Sequence, residues 1–304
     1  MKMKRFLVCV GLCGLLCPAP VLAQSLVPVA LAEADRPAPD GRLVVIVVPK
    51  AGIEPEINLG RVISDAAYGG GLLGGLINES RDHKRDDLAK IANVKANADA
   101  APLQKALATY DWLAKAERSS QAALAHVGWF QAKDIKVSGA EADADPATIA
   151  GTAATGQFVT LTYRYRLSPD CTQIKVIADV LVYRRESGPK NGAAKPARLL
   201  FRETIAAIAQ LSRRSFENAE NIAQWSNDDA RLGKAAIEGA FQRIENALPY
   251  ALNQSQAEID TLQKSKSDKV FSAGFYGPAV MLPVSAKGEK VLWQHGIIDV
   301  FDLP

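Results

Sequence analysis

The stretch FVTLTYRYRLSPDCTQIKVIADVLVYR, residues 158–184, constrains this chain more than any other. Val159, Leu161, Tyr163, Tyr165 and Leu167 alternate with Thr160, Thr162, Arg164 and Arg166. Successive side chains of a strand point to opposite faces, so a period of two marks a strand with one face buried and one wet. Ser168-Pro169-Asp170-Cys171 supplies a turn, because proline presets φ and aspartate bonds nearby backbone. Ile174, Val176, Ala178, Val180 and Val182 then resume the alternation. An antiparallel hairpin is expected, with Cys171 exposed in its turn.

Leu199 to Leu211 keeps the same period and predicts a third strand. Leu43 to Val48 (LVVIVV) is a continuous β-branched run stopped by Pro49, the pattern of a central strand buried on both faces. Asp134–Ser138, Ala279–Val284, Lys290–Trp293 and Ile297–Phe301 read as further β segments, with a turn at Ala286-Lys287-Gly288. Asp87 to Val127 has helical spacing with a break near Thr109-Tyr110-Asp111; Asp99 reads as a cap ahead of an early Pro102. Ser226-x-x-Asp229 resembles a capping box opening a helix with Leu232, Ala236, Ala240, Ile244 and Leu248 on one face, and Pro249 is expected to end or kink it. Residues 253–268 are polar and helix-compatible. The predicted fold class is α+β: a mostly antiparallel sheet, hairpin 158–184 plus further strands, packed with several helices in one main domain.

The chain begins MKMKRFLVCVGLCGLLCPAPVLA. A basic head, an uncharged apolar run from Phe6 to Leu16 and small residues before Gln24 form the layout of a secretory signal peptide. The run is shorter than the roughly 20 residues that cross a bilayer. Residues 1–23 are therefore expected to be cleaved, 24–42 to form a flexible leader, and 43–304 to form the domain, with a possible sub-boundary in 139–156. The 36 basic residues less Lys2, Lys4 and Arg5 leave 33 against 33 acidic ones, so the mature body is neutral and gives no electrostatic reason to bind nucleic acid. Cys9, Cys13 and Cys17 leave with the signal, and Cys171 remains alone without a disulfide partner. A single thiol outside the cytosol fits bacterial export to the periplasm better than a disulfide-stapled extracellular domain. No small residue precedes any of the three signal cysteines, which disfavours a lipoprotein. No membrane-spanning segment is expected in the mature chain.

YGGGLLGGLI, residues 68–77, spells G-x-G-x-x-G, but the preceding strand ends about twenty residues earlier and a charged run follows, so a dinucleotide loop is not expected. Gly70, Gly71, Leu72, Leu73, Gly74 and Gly75 read instead as a close-packed loop or as a contact for a partner or lipid. His83 sits among Asp82, Asp86 and Asp87, where Arg81, Lys84 and Arg85 compete for the carboxylates; a solvated charge run is expected, not a metal site. No nucleophile elbow and no H-E-x-x-H motif is present. Asp143/Asp145 and Asp228/Asp229 suit a loop and a helix start, and Trp112, Trp129, Trp225 and Trp293 suit core anchoring. No catalytic residue, metal or cofactor is expected.

Arg164, Arg166, Arg184 and Arg185, with Tyr163 beside them, are the candidate binding residues: one arginine-bearing face able to hold an acidic envelope protein or glycan. The expected function is an exported, periplasmic, non-catalytic interaction protein. The alternatives are a hydrolase with dispersed catalytic groups and a peripheral membrane protein that uses residues 66–77.

Overall fold

The computed structural model describes residues 27–50, 52–57, 81–140, 145–186, 197–265, 269–272, 275–282 and 290–303. The described strands are β1 (Arg42–Val47), β2 (Ile53–Pro55), β3 (Ala132–Ser138), β4 (Gln157–Leu167), β5 (Gln173–Arg185), β6 (Ala197–Gln210), β7 (Lys269–Ser272), β8 (Phe275–Met281), β9 (Lys290–Trp293) and β10 (Ile297–Asp302). The described helices are α1 (Arg81–Ala106), α2 (Trp112–Ala125), α3 (Pro146–Thr152), α4 (Asn218–Asn253) and α5 (Gln256–Lys264).

The strands form one sheet in the order β3-β1-β4-β5-β6-β10-β9-β8-β7, and β2 pairs with β4 beyond the end of β1. The expected hairpin is its centre: β4 and β5 pair antiparallel from Gln157↔Arg184 to Leu167↔Ile174, and β6 continues antiparallel to β5. The expectation of a mostly antiparallel sheet needs correcting. β1 runs parallel to both β3 and β4, β2 runs parallel to β4, and β6 runs parallel to β10. The sheet is therefore mixed. The reason lies in the connections: α1 and α2 intervene between β1 and its partners, and α4 and α5 between β6 and β10, and parallel neighbours require such crossovers. β1 is buried along its whole length, as its unbroken apolar run implied.

One face of the sheet carries the main core. Val159, Leu161, Tyr163, Ile174, Val176, Val180, Ile205 and Ala207 are fully buried there against α1, α2 and α4. The predicted stripe of α4 is the contact surface: Ala236, Ala240, Ile244 and Leu248 are all buried. Small residues along it let the helix lie close to the sheet. Gly233 lets the two segments of α4 and α1 come close, since a Cβ there would stand 2.9 Å from the Trp225 carbonyl and 3.2 Å from Leu103 Cδ1.

Several local expectations are revised. Asp99 does not cap a helix; it lies inside α1, where it pairs with Lys95 at 3.4 Å and accepts from Asn218 Nδ2 at 3.4 Å. Pro102 also lies inside α1, and burial of its neighbours Ala100 and Leu103 offsets the missing N–H. The helix break at 107–111 is where it was expected, with Asp111 accepting from Ala114 N at 3.0 Å as the cap of α2. Ser226 does not form a capping box either; its hydroxyl donates to Ile222 O at 2.8 Å, inside the first segment of α4. The chain breaks just beyond, with Asp228, Asp229 and Ala230 at φ 52°, 57° and 53°. Pro249 does not end α4, which runs on to Asn253, whose amide donates to the Pro249 carbonyl at 2.9 Å. A capping box does occur one helix later, between Ser255 and Glu258 of α5.

The segment expected as a flexible leader is tied down from Val27 onward. Val29 exchanges two backbone hydrogen bonds with Arg202, at 2.8 and 3.0 Å, and Leu31 is buried. Arg36 and Arg42 lie over the Trp129 ring at 5.5 and 5.2 Å. The 139–156 connection contains α3, which lays Ile149, Ala150 and Ala153 over Leu43, Val45 and Phe158 on the opposite face of the sheet. Cys171 is not an exposed turn thiol: it is buried, at φ 57°, with its side chain in the main core. The turn folds inward because α4 packs on it; Trp225 Nε1 and Asn221 Nδ2 donate to the Cys171 and Asp170 carbonyls. Trp112, Trp225 and Trp293 are core residues as expected, and Trp129 is partly buried against the core.

Candidate functional site

The outer face of β4 and β5 carries Arg164, Arg166 and Arg185, but Arg184, opposite Gln157, stands in the other row, because neighbouring residues of a strand face opposite ways; each of the four has a partner. Arg164 pairs diagonally across the hairpin with Asp179, which stands opposite Thr162, and the same carboxylate accepts from Thr204 Oγ1 at 2.8 Å. Arg166 pairs with Glu54 of β2, and Lys175 pairs with Glu56 at 2.6 Å. These three pairs are part-buried and form a patch of alternating sign. Arg184 reaches Asp35 at 2.7 Å and Arg185 donates to the Ala153 carbonyl, so both hold the N-terminal arm and the α3 connection to the sheet.

Tyr163 is not beside the arginines. It points to the opposite, helical face, fully buried, where its hydroxyl shares a 2.8 Å hydrogen bond with Ser120 and its ring lies 5.4 Å from Phe241. Burial pushes its pKa up to about 12, so it is a neutral core phenol. Gly70, Gly71, Leu72, Leu73, Gly74 and Gly75 lie outside the described residues, as does the side chain of His83.

A second constellation lies at the corner where β6, the ends of α4 and α5, the β9–β10 turn and the N-terminal arm meet. Glu203 of β6 faces inward between Phe201 and Ile205 and is fully buried. Its only hydrogen bond among the described residues comes from the Thr204 N–H at 3.3 Å, on Oε1. Burial pushes its pKa up to about 8, against a smaller lowering by that N–H, so Glu203 is held as the neutral acid at pH 7. The β9–β10 turn passes directly over it. Gly296 sits at φ 146°, and a Cβ there would fall 2.5 Å from the Thr204 carbonyl and 3.2 Å from Glu203 Oε1, so glycine is required.

Three further groups lie on the elements that meet near this corner. Tyr250 of α4 has its pKa raised by burial first, then by the Glu258 and Glu203 carboxyls. Gln254, at the C-terminus of α4, is 2% exposed, and neither its amide nitrogen nor its oxygen has a partner among the described residues. Trp293 is 3% exposed, and its indole N–H is also unpartnered among the described residues. The backbone ties the corner together: Val29 pairs with Arg202, next to Glu203, and Ala30 N donates to Gln256 Oε1 at 3.1 Å, next to the end of α4. Beside these groups a cleft of about 260 Å³ opens between Val27, Leu262, Gly277, Pro278, Trp293 and His295.

Sequence reasoning passed over this corner, although Glu203 carried a legible signal. In the period-two register of β6 it falls in the inward row, where an ionisable residue is out of place. Gln254 and Trp293 gave none, because their burial depends on how α5 and the terminal strands fold back.

Among the described residues, no three His, Cys, Asp or Glu side chains gather to hold a metal ion, and no helix is long and apolar enough to cross a membrane. No protein-family model, no curated protein and no solved structure matches this chain.

Proposed function

We propose that this chain is an exported, non-catalytic interaction protein of the bacterial cell envelope, released to the periplasm by cleavage after Ala23. The signal-peptide layout of residues 1–23 and the charge balance of the remainder support export. The observation that carries the binding role is the patch on the outer face of β4 and β5. Arg164, Arg166 and Lys175 alternate there with Asp179, Glu54 and Glu56, each side chain between 14% and 42% exposed. Cations already neutralised by carboxylates at this range hold a polyanion poorly. A partner surface that carries both signs suits the patch better, because opposite charges in register give specificity and speed encounter. The partner class we infer is a folded envelope protein, in place of an acidic glycan.

Photo-cross-linking in intact cells from Thr162, on the same face, tests this reading. A reproducible protein adduct that disappears in the Arg164→Glu/Arg166→Glu variant is the expected result. Equal trapping by both chains, or none by either, would sink it.

A second reading, peripheral attachment to a membrane, is favoured by Phe216, which is 98% exposed and follows Arg213 and Arg214 closely. Osmotic shock without detergent distinguishes the two: full release supports the first, and retention relieved by Phe216→Ser supports the second.

A further inference from the structure

We propose that the outer edge of β3 is a self-association site, where a second copy of this chain adds its own β3 antiparallel and joins two sheets into one. β3 stands at one end of the strand order, and among the described residues only β1 pairs with it. Its register with β1 is regular from Asp134 to Ser138. The Val48 N–H donates to the Ser138 carbonyl at 2.9 Å, which fixes the direction of the strand's backbone groups. Ser138, Lys136 and Asp134 turn theirs to β1, so Ile135 and Val137, one residue out of phase, turn both N–H and C=O to the free edge. Among the described residues, no hydrogen bond reaches the backbone of either one there. Such an edge is a template for another strand. Lys133, Asp134 and Lys136 are exposed, and Ile135 and Val137 lie partly buried against the main core. None of the three charged side chains forms a salt bridge among the described residues.

The edge is its own complement, and that selects the occupant. About a twofold axis through Ile135, Ile135 faces Ile135 of the second copy, and Asp134 faces Lys136 on both sides of the axis. Because Ile135 turns its backbone outward, the central pair exchanges two hydrogen bonds. Asp134 and Lys136 then fall at the flanking positions without hydrogen bonds, where opposed Cα atoms stand about 4.5 Å apart and side chains meet most closely. Outward backbone groups must oppose outward ones, so the neighbouring registers lie a two-residue step away. One sets Asp134 against Asp134 and the other sets Lys136 against Lys136, and like charges directly opposed repel. Charge on an edge strand ordinarily blocks pairing. Here the order of the signs admits a single register with a second copy. The twofold uses up both β3 edges and closes the assembly at two chains. A strand pair this short is a small interface, so the dimer is reversible and depends on concentration.

Sedimentation velocity of the purified protein, from about 1 µM to about 1 mM, reads the association. The expected result is a monomer at the low end and a dimer at the high end. Asp134→Lys sets lysine against Lys136, and Lys136→Asp sets aspartate against Asp134; each should weaken the dimer by about tenfold or more. Both side chains are exposed, so the variants should unfold like the parent. Mixing the two variants opposes unlike charges again on both sides of the axis and should restore a mixed dimer. The register has its own readout. Asp134→Cys mixed with Lys136→Cys should form a disulfide between unlike chains under mild oxidation, because the opposed Cα separation suits that bond. A protein that stays monomeric across the whole range overturns the proposal. So does a dimer that the charge reversals leave intact, or cross-linking that is no faster between unlike chains than between like ones. β3 lies two strands from β4, so photo-cross-linking from Thr162 reads a separate surface and its outcome is independent of these.

Discussion

The indole N–H of Trp225 donates to the carbonyl of Cys171 at 2.8 Å, and both residues are buried. That bond fastens the β4–β5 turn to α4 and turns a predicted surface thiol into a core residue. Beyond residue 17 the chain has no other cysteine, so its reactivity reports on this contact. A thiol reagent should label Cys171 only after denaturation. Trp225→Phe, which leaves a buried carbonyl without a donor, should lower stability by about 1–3 kcal/mol in a denaturant titration and expose Cys171 to the reagent. Rapid labelling of the native parent would contradict the structure.

The same turn contains a carboxylate that responds to acid. Burial alone would raise the pKa of Asp170, but donors from Ser168 and Thr172, at 2.6 to 3.2 Å, outweigh it and hold the carboxylate below its usual range. A depressed acid contributes stability that is present above its unfolded pKa of about 4 and is lost as pH falls through the folded value. Asp170→Asn should therefore flatten the stability profile below pH 4 and destabilise the chain above it. An unchanged acid limb would count against the bonds.

Glu203 gives the opposite sign. Its folded pKa, about 8, lies above the ordinary carboxyl value of 4.5, so the unfolded chain releases this proton first and stability declines as pH rises between those values. Glu203→Gln removes the decline. The variant should match the parent near pH 4 and exceed it by on the order of 3 kcal/mol at pH 7, with no further gain above pH 8. A Glu203→Gln chain less stable than the parent at pH 7 would mean that the carboxylate is ionised and partnered.

Half-exposed ion pairs contribute only about 0–1 kcal/mol each. Arg164→Ala and Arg166→Ala should therefore shift the thermal midpoint by no more than a few degrees, while partner capture is lost. A collapse of stability in either variant would assign the arginines to the fold instead of to recognition.

How far the sequence could be read depended on the range of the interaction. The strands of the hairpin, the buried β1 run and the inner stripe of α4 were legible because a period in the sequence is a period in space. The parallel partners of β1 and β6 were not, since strand order is decided by long crossovers that leave no local mark. Asp99, Ser226 and Pro249 misled for a related reason. Their residue types favour helix ends, yet Lys95 and Asn218, the Ile222 carbonyl and the packed C-terminal half of α4 settle them inside helices. At the candidate sites the split is similar. The face on which Arg164 and Arg166 stand followed from alternation, but their carboxylate partners came from β2 and from across the hairpin. Glu203 stood out of phase in plain view, whereas Gln254 and Trp293 were buried only by tertiary closure.

Export underlies the proposed function, and the N-terminus of the native protein reports on it. Mass spectrometry of the chain recovered from the periplasmic fraction of its own cells should find a first residue of Gln24, with the arm from Val27 protected from protease. Recovery of the uncleaved chain, beginning at Met1 and confined to the cytoplasm, would contradict the account.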